Sequence, residues 1–147
     1  MNNWTKFEKI KQIKENDKNE VQIQFRQAVD EFEKYAEELL HLLKKKEAME
    51  VAYQNSLIDG SIDKMKGYYN YLNYLTPNIL SVQKKVNHAR DCMNKLQEEL
   101  TQKYIEVKKF EKIIDRKKQV EYLLINKMEQ STMDEISIRK YTDSKGR

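Results

Sequence analysis

Apolar residues recur along most of this chain at helical spacing, with no stretch of strand-like alternation. From Thr5 to about Ile58 there is neither glycine nor proline. Phe25, Ala28, Phe32, Tyr35, Leu39, Leu42, Lys46, Met49, Tyr53 and Ser56 follow a strict three-four spacing, and eight of these ten are apolar or aromatic. That spacing keeps one narrow stripe against one partner, which is the coiled-coil condition. Upstream the stripe passes through Phe7, Ile10, Ile13 and Val21. Steps of eleven and four residues from Ile10 to Val21 to Phe25 break the repeat and unwind the supercoil locally. Thr5, with Glu8 three residues on, reads as a capping box. A helix over about 5–58 is expected.

Asp59-Gly60-Ser61 ends that helix: Gly60 suits a left-handed position after a helix, and Ser61 can cap the next one. Residues 62–75 read as a short crossover helix with Gly67 inside it. Thr76-Pro77 marks a boundary, because a proline at the first helical position loses nothing by lacking its N–H. The second long helix is expected over about 77–131. Counting in three-four steps from Ile79 to Met128 visits fifteen positions, of which only Lys103, Lys117 and Glu121 are not apolar. Ser131-Thr132 weakens the helix, and 136–147 reads as a flexible tail.

Two arms of similar length, each about 80 Å at 1.5 Å per residue, flank one turn region. The expected fold is all-α: a single domain, 1–147, built as a long antiparallel two-helix coiled-coil hairpin with a short helix at the crossover. In that hairpin residue i faces roughly residue 136 − i. Eight acids within residues 14–38 then lie along the second arm near the window 108–118, which holds six bases and two acids. Such surface pairs are each worth only about 0.3–0.5 kcal/mol, so they choose a register rather than hold it.

Composition narrows the classes. Three glycines and one proline in 147 residues are too few for a turn-rich α/β or all-β fold. Hydrophobic residues make up 39% of the chain and recur periodically, which argues against disorder. With 28 bases and 24 acids the net charge is only +4, and it selects no partner by itself. One cysteine, Cys92, excludes an internal disulfide and a multi-thiolate metal site. No run of 18 apolar residues is present, and the first residues read as neither a signal nor a transit peptide, so the expectation is an intracellular protein without direct membrane insertion.

Catalytic chemistry is absent from the pattern. His41 and His88 have no second ligand at metal spacing on this reading, and there is no phosphate-binding glycine loop or nucleophile elbow. The expectation is a protein that is not an enzyme, with no cofactor and no metal. The basic residues Lys108, Lys109, Lys112, Arg116, Lys117 and Lys118 are interleaved with Glu106, Glu111 and Asp115. They read as a solvated or intramolecularly paired face, or as a contact for an acidic protein; a nucleic-acid site needs a continuous positive face. Tyr68, Tyr69, Tyr71 and Tyr74 fall within seven residues, more aromatic surface than a two-helix arrangement hides. Trp4, Phe7 and Ile10 make a second apolar cluster. A stiff element with two adhesive ends reads as a linker between protein machines; a scaffold acting as a homodimer of long helices reads from the same stripes.

Several stretches together resemble the FliJ family of the bacterial flagellar type III export apparatus. They are the aromatic-basic start Trp4-Thr-Lys-Phe-Glu-Lys-Ile and the crossover Gly67-Tyr-Tyr-Asn-Tyr-Leu-Asn-Tyr-Leu. Further on come the charged middle Lys103-Tyr-Ile-Glu-Val-Lys-Lys-Phe-Glu-Lys and the C-terminal Asn126-Lys-Met-Glu-Gln-Ser-Thr-Met-Asp-Glu. The resemblance implies a non-enzymatic coupling factor between the hexameric export ATPase, with its peripheral stalk protein, and the membrane export-gate protein. It also implies contact with export chaperones and a cytoplasmic place at the inner face of the cell membrane, at the flagellar base. Flagellum biogenesis, protein transport, motility and chemotaxis are the processes it points to. A family patch near the crossover, implied to touch the export gate, falls on Tyr71, Leu75, Asn78 and Val82, where the family has Phe, Leu, Ala and His. On the first helix the matching candidates are Leu42, Met49 and Tyr53. Phe7, Ile10, Met128 and Met133 would belong to the end that enters the ATPase ring.

Overall fold

The computed structural model describes residues 4–145, which form two α-helices: α1, Thr5–Asp59, and α2, Ile62–Lys145. The helices pack against each other as an antiparallel, all-α hairpin, and no strand is present among the described residues. The stripe expected in α1 is buried or half-buried at all ten positions from Phe25 to Ser56. In α2 the burial runs without interruption through 65, 68, 72, 75, 79 and onward in three-four steps to 121.

Helix α1 starts one residue earlier than the capping-box reading implies. The Glu8 N–H donates to the Trp4 carbonyl (2.9 Å), which puts Trp4 at the cap and Thr5 already inside the helix. The helix ends where expected. Gly60 has a φ of +72°, and its N–H donates to the Ser56 carbonyl (3.0 Å). A Cβ at Gly60 would meet no atom within 4 Å, so glycine is needed there for the left-handed backbone alone. Ser61 caps α2, its carbonyl accepting from the Met65 N–H (3.1 Å). Ser56 is buried just before the turn and donates its hydroxyl to the Tyr53 carbonyl (2.6 Å).

Three expectations need correction. First, 62–75 is not a separate crossover helix, and α2 does not begin at Pro77; the proline lies inside α2. A proline in a helix interior removes one hydrogen bond and costs ~3 kcal/mol. Pro77 is exposed, whereas Leu75, Ile79 and Val82 on either side of it are buried, with Leu75 only 2% exposed. Burying side chains of that size contributes about 1.5–3 kcal/mol each, and the packing carries the helix through. Second, the turn is therefore Gly60-Ser61 alone, and the register moves with it. Tyr53 meets Tyr69, Phe32 meets Arg90 and Lys11 meets Glu111, so facing residue numbers add to about 122 rather than 136. The acids of 14–38 consequently do not lie along the basic window 108–118, which faces the first residues of α1 instead. Third, 136–145 is helical. The Thr132 and Thr142 hydroxyls each donate to a carbonyl four residues back (2.9 Å), so neither threonine caps or stops the helix. Gly146, placed in the tail by the sequence, lies outside the described residues.

The chain forms two compact units. The crossover unit is Asn19–Thr101; the terminal unit is Met1–Lys18 with Gln102–Arg147.

Candidate interaction surfaces

In the crossover unit the register decides which predicted residues are accessible. Leu75 and Val82 are buried in the seam against α1, while Tyr71 and Asn78 are half-buried at its edge. Leu42, Met49 and Tyr53 are half-buried on α1. The seven residues thus combine hairpin core with one accessible margin. At that margin Met49, Lys64, Gly67, Tyr68 and Tyr71 line a shallow groove of about 450 Å³. Gly67 leaves its floor bare, since a Cβ there would meet nothing within 4 Å. Tyr71 and Tyr74 stack with ring centroids 6.2 Å apart, and Tyr74 and Tyr69 are exposed.

The crossover unit also contains a pair that the sequence reading missed. Cys92 Sγ lies 3.7 Å from His88 Nε2, one helical turn away, and the i, i+4 spacing was the available signal. Glu31 and Tyr35 of α1 line the same shallow surface with Lys84 and Lys85. Among the described residues no group of three or more histidine, cysteine or carboxylate side chains converges on one point.

The terminal unit does not gather its four predicted residues. Phe7 and Ile10 are half-buried where α1 pairs with α2, and the Lys117 ammonium sits 5.0 Å over the Phe7 ring. Lys118 reaches both the Trp4 ring (5.8 Å) and Glu8 (3.6 Å). Met128 and Met133 lie beyond the start of α1. From Lys117, Met128 is eleven residues along α2, about 16 Å at 1.5 Å per residue. With Ile125, Glu129 and Thr132 the two methionines line an open, shallow surface.

The shifted register has a second effect on this unit. Glu121 is the last half-buried residue of α2, and all of 122–145 is exposed. Val120, Tyr122, Leu123, Leu124, Ile125 and Met128 are exposed apolar residues, joined further on by Ile136, Ile138 and Tyr141. Consecutive residues on an α-helix point about 100° apart, so 122–125 present apolar groups on every side of the helix. Sequence counting hid this surface, because the 136 register assigned Leu124 and Met128 to the seam.

Several charges in the paired part of the terminal unit are matched within the chain. Glu111 accepts from Lys108 (3.0 Å) and lies 3.8 Å from Lys11. That hydrogen bond holds the Glu111 carboxyl below its ordinary range and raises the Lys108 ammonium. Lys14 is 3.3 Å from Glu106, whose nearer carboxylate oxygen is buried without a well-formed hydrogen bond. Of the six bases in the basic window, Lys108 pairs on its own helix and Lys118 pairs with Glu8 of α1, while Lys117 lies over the Phe7 ring. Among the described residues, no helix is long and apolar enough to cross a membrane.

Comparison with known proteins agrees with the pattern of the chain. The family model described as "Flagellar FliJ protein" matches residues 3–146. A Flagellar FliJ protein of Bacillus subtilis (strain 168) is 37% identical over 137 residues, covering 92% of this chain and 93% of that protein. No solved structure matches.

Proposed function

The chain belongs to the flagellar FliJ family, and from that premise we propose that it serves flagellar type III protein export as a coupling component without catalytic activity of its own. It links the export ATPase ring to the membrane export gate. The peripheral stalk protein of the ATPase and the export chaperones are its further partners. Its place is the cytoplasmic face of the membrane at the flagellar base, reached through those proteins.

The observation that carries this reading is the unpaired end of α2. A helix that is apolar on all sides is stable only when enclosed on all sides. A flat docking surface covers one face of residues 122–128; the central opening of a ring covers every face. Phe7 and Ile10 then lie where the paired helices meet the rim, and Met128 and Met133 lie within the opening. At the crossover, Tyr71 with Asn78, backed by the core residues Leu75 and Val82, offers the contact for the gate. Met49 and Tyr68 flank Tyr71, and Leu42 and Tyr53 brace the surface from α1.

Leu124→Asp with Met128→Asp tests the ring contact. Both residues are exposed, so circular dichroism should be unchanged, while binding to the export ATPase should weaken by at least tenfold. Undiminished binding would overturn the assignment. Tyr71→Ala is the matching probe for the gate, with lost gate binding and retained ATPase binding as the expected result. Leu75→Ala is a poor probe because it empties the core.

A further inference from the structure

The proposed function leaves the chemistry of His88 and Cys92 unused. Both side chains are exposed, one helical turn apart on α2 of the crossover unit. A thiol is a weak hydrogen-bond donor, and at 3.7 Å the Sγ–Nε2 contact adds little to stability. The same separation has a second meaning. A tetrahedral zinc-class ion, at about 2.3 Å from sulfur and about 2.0–2.1 Å from nitrogen, holds those two atoms about 3.6 Å apart. The two ligand atoms therefore already stand at the spacing that a chelated ion imposes. Val86 and Ala89, both buried, pin this turn of α2 in the seam, so the pair is presented on rigid backbone.

Residues of α1 border the pair. Glu31 and Tyr35 line the same shallow surface, together with Lys84 and Lys85. In the observed register Glu31 stands level with Asp91, between the His88 and Cys92 positions. The Glu31 side chain is exposed and, among the described residues, takes part in no ion pair. The Lys85 ammonium is turned over the Tyr35 ring, 5.8 Å from its centre. The three groups do not already converge on one point; rotation of the exposed Glu31 side chain brings its carboxylate towards the pair. An imidazole, a thiolate and a carboxylate carry two negative charges, which a divalent cation cancels, so the neighbouring lysines face no net positive charge. Nitrogen and sulfur donors select zinc-class ions over magnesium and calcium, which take oxygen ligands.

We propose that Glu31, His88 and Cys92 bind a zinc-class divalent cation, with water in the fourth position. The Cys92 thiol releases its proton to solvent as the sulfur–metal bond forms. Glu31 belongs to α1 and the other two ligands to α2, so the ion ties the helices together within the crossover unit.

Titration of the reduced full chain with Co2+, followed by Zn2+, tests this without any export partner. A thiolate-to-cobalt charge-transfer absorption should saturate at one ion per chain and fade as Zn2+ displaces Co2+. The thermal unfolding midpoint should rise in Zn2+. Cys92→Ser should abolish the absorption, and His88→Ala should weaken binding at least tenfold. Glu31→Gln should weaken it several-fold and remove most of the gain in midpoint, since the ion then holds α2 alone. All three side chains are exposed, so circular dichroism should show each variant as helical as the wild type. No cobalt–thiolate absorption up to millimolar Co2+ overturns the proposal. So does binding that keeps its full strength in His88→Ala or Glu31→Gln, or a stoichiometry of one ion per two chains, which would place the ion between copies.

Discussion

The two units are built on the same spacing and held by different forces. In the crossover unit the buried seam is mainly apolar: Val21 and Ala28 on α1, and Leu75, Ile79, Val82, Val86 and Ala89 on α2. Among the described residues of the terminal unit only Val107 and Ile114 are buried, and seam positions are taken by Lys14, Asp17, Lys103, Glu106 and Lys117. The ion pairs between helices lie there: Lys11 with Glu111, Lys14 with Glu106, and Lys118 with Glu8. Each apolar burial contributes about 1.5–3 kcal/mol, and each part-exposed ion pair at most about 1 kcal/mol. The crossover unit thus supplies the stability. The terminal unit supplies register and remains easy to open.

The most damaging single change should be Leu75→Ala. Emptying a fully buried leucine site costs about 2–5 kcal/mol, and urea unfolding should register the loss across both units, since α1 and α2 run through both. A change below about 1 kcal/mol would mean the seam closes around the gap and the contrast between units is overdrawn.

Pro77→Ala acts in the opposite direction. It restores an N–H donor for the Asn73 carbonyl and removes a ring clash, so stability should rise by about 1–3 kcal/mol. Hydrogen exchange should show the gain around 73–81 and leave 122–145 unprotected. A fall in stability would show that the proline ring itself contributes to the packing of α2 on α1.

Smaller effects are expected in the terminal unit. Lys14→Leu or Glu106→Leu alone should lower stability by about 1 kcal/mol or less, because each side chain is a third or more exposed. The double substitution should recover the wild-type value or exceed it, as leucines at facing seam positions pack without charges to satisfy. Glu111 has a carboxyl held below its ordinary range, so the unfolded chain binds its proton more readily than the folded one. That contribution is present above the ordinary carboxylate range and fades as the pH falls through it. Midpoint differences between wild type and Glu111→Gln should therefore shrink on acidification.

Much of this was legible in the amino-acid order. The α1 stripe from Phe25 to Ser56 and the α2 stripe from Ile79 to Glu121 are the observed seams, position by position. Gly60 and Ser61 take the turn and cap roles expected of them. Register was not legible, because Pro77 reads locally as a helix start and only the burial of Leu75, Ile79 and Val82 reverses that. The apolar surface at 122–125 was concealed by the same error, since a residue counted into the wrong seam looks already covered. His88 and Cys92 were missed for a simpler reason, the helical spacing between them having gone uncounted.

The inequality of the two helices, 55 residues against 84, also bears on how the chain folds as it is made. Pairing can begin at the Gly60 turn and close outward one step at a time, so every new contact needs only a short extension of chain already in place. The partner of each α1 residue leaves the ribosome in order, the last of them near residue 121. Only afterwards do Tyr122 through Tyr141 emerge. Their apolar side chains meet a seam whose places are already taken and never compete for α1, so a long exposed helix is produced without misdirecting the fold that carries it.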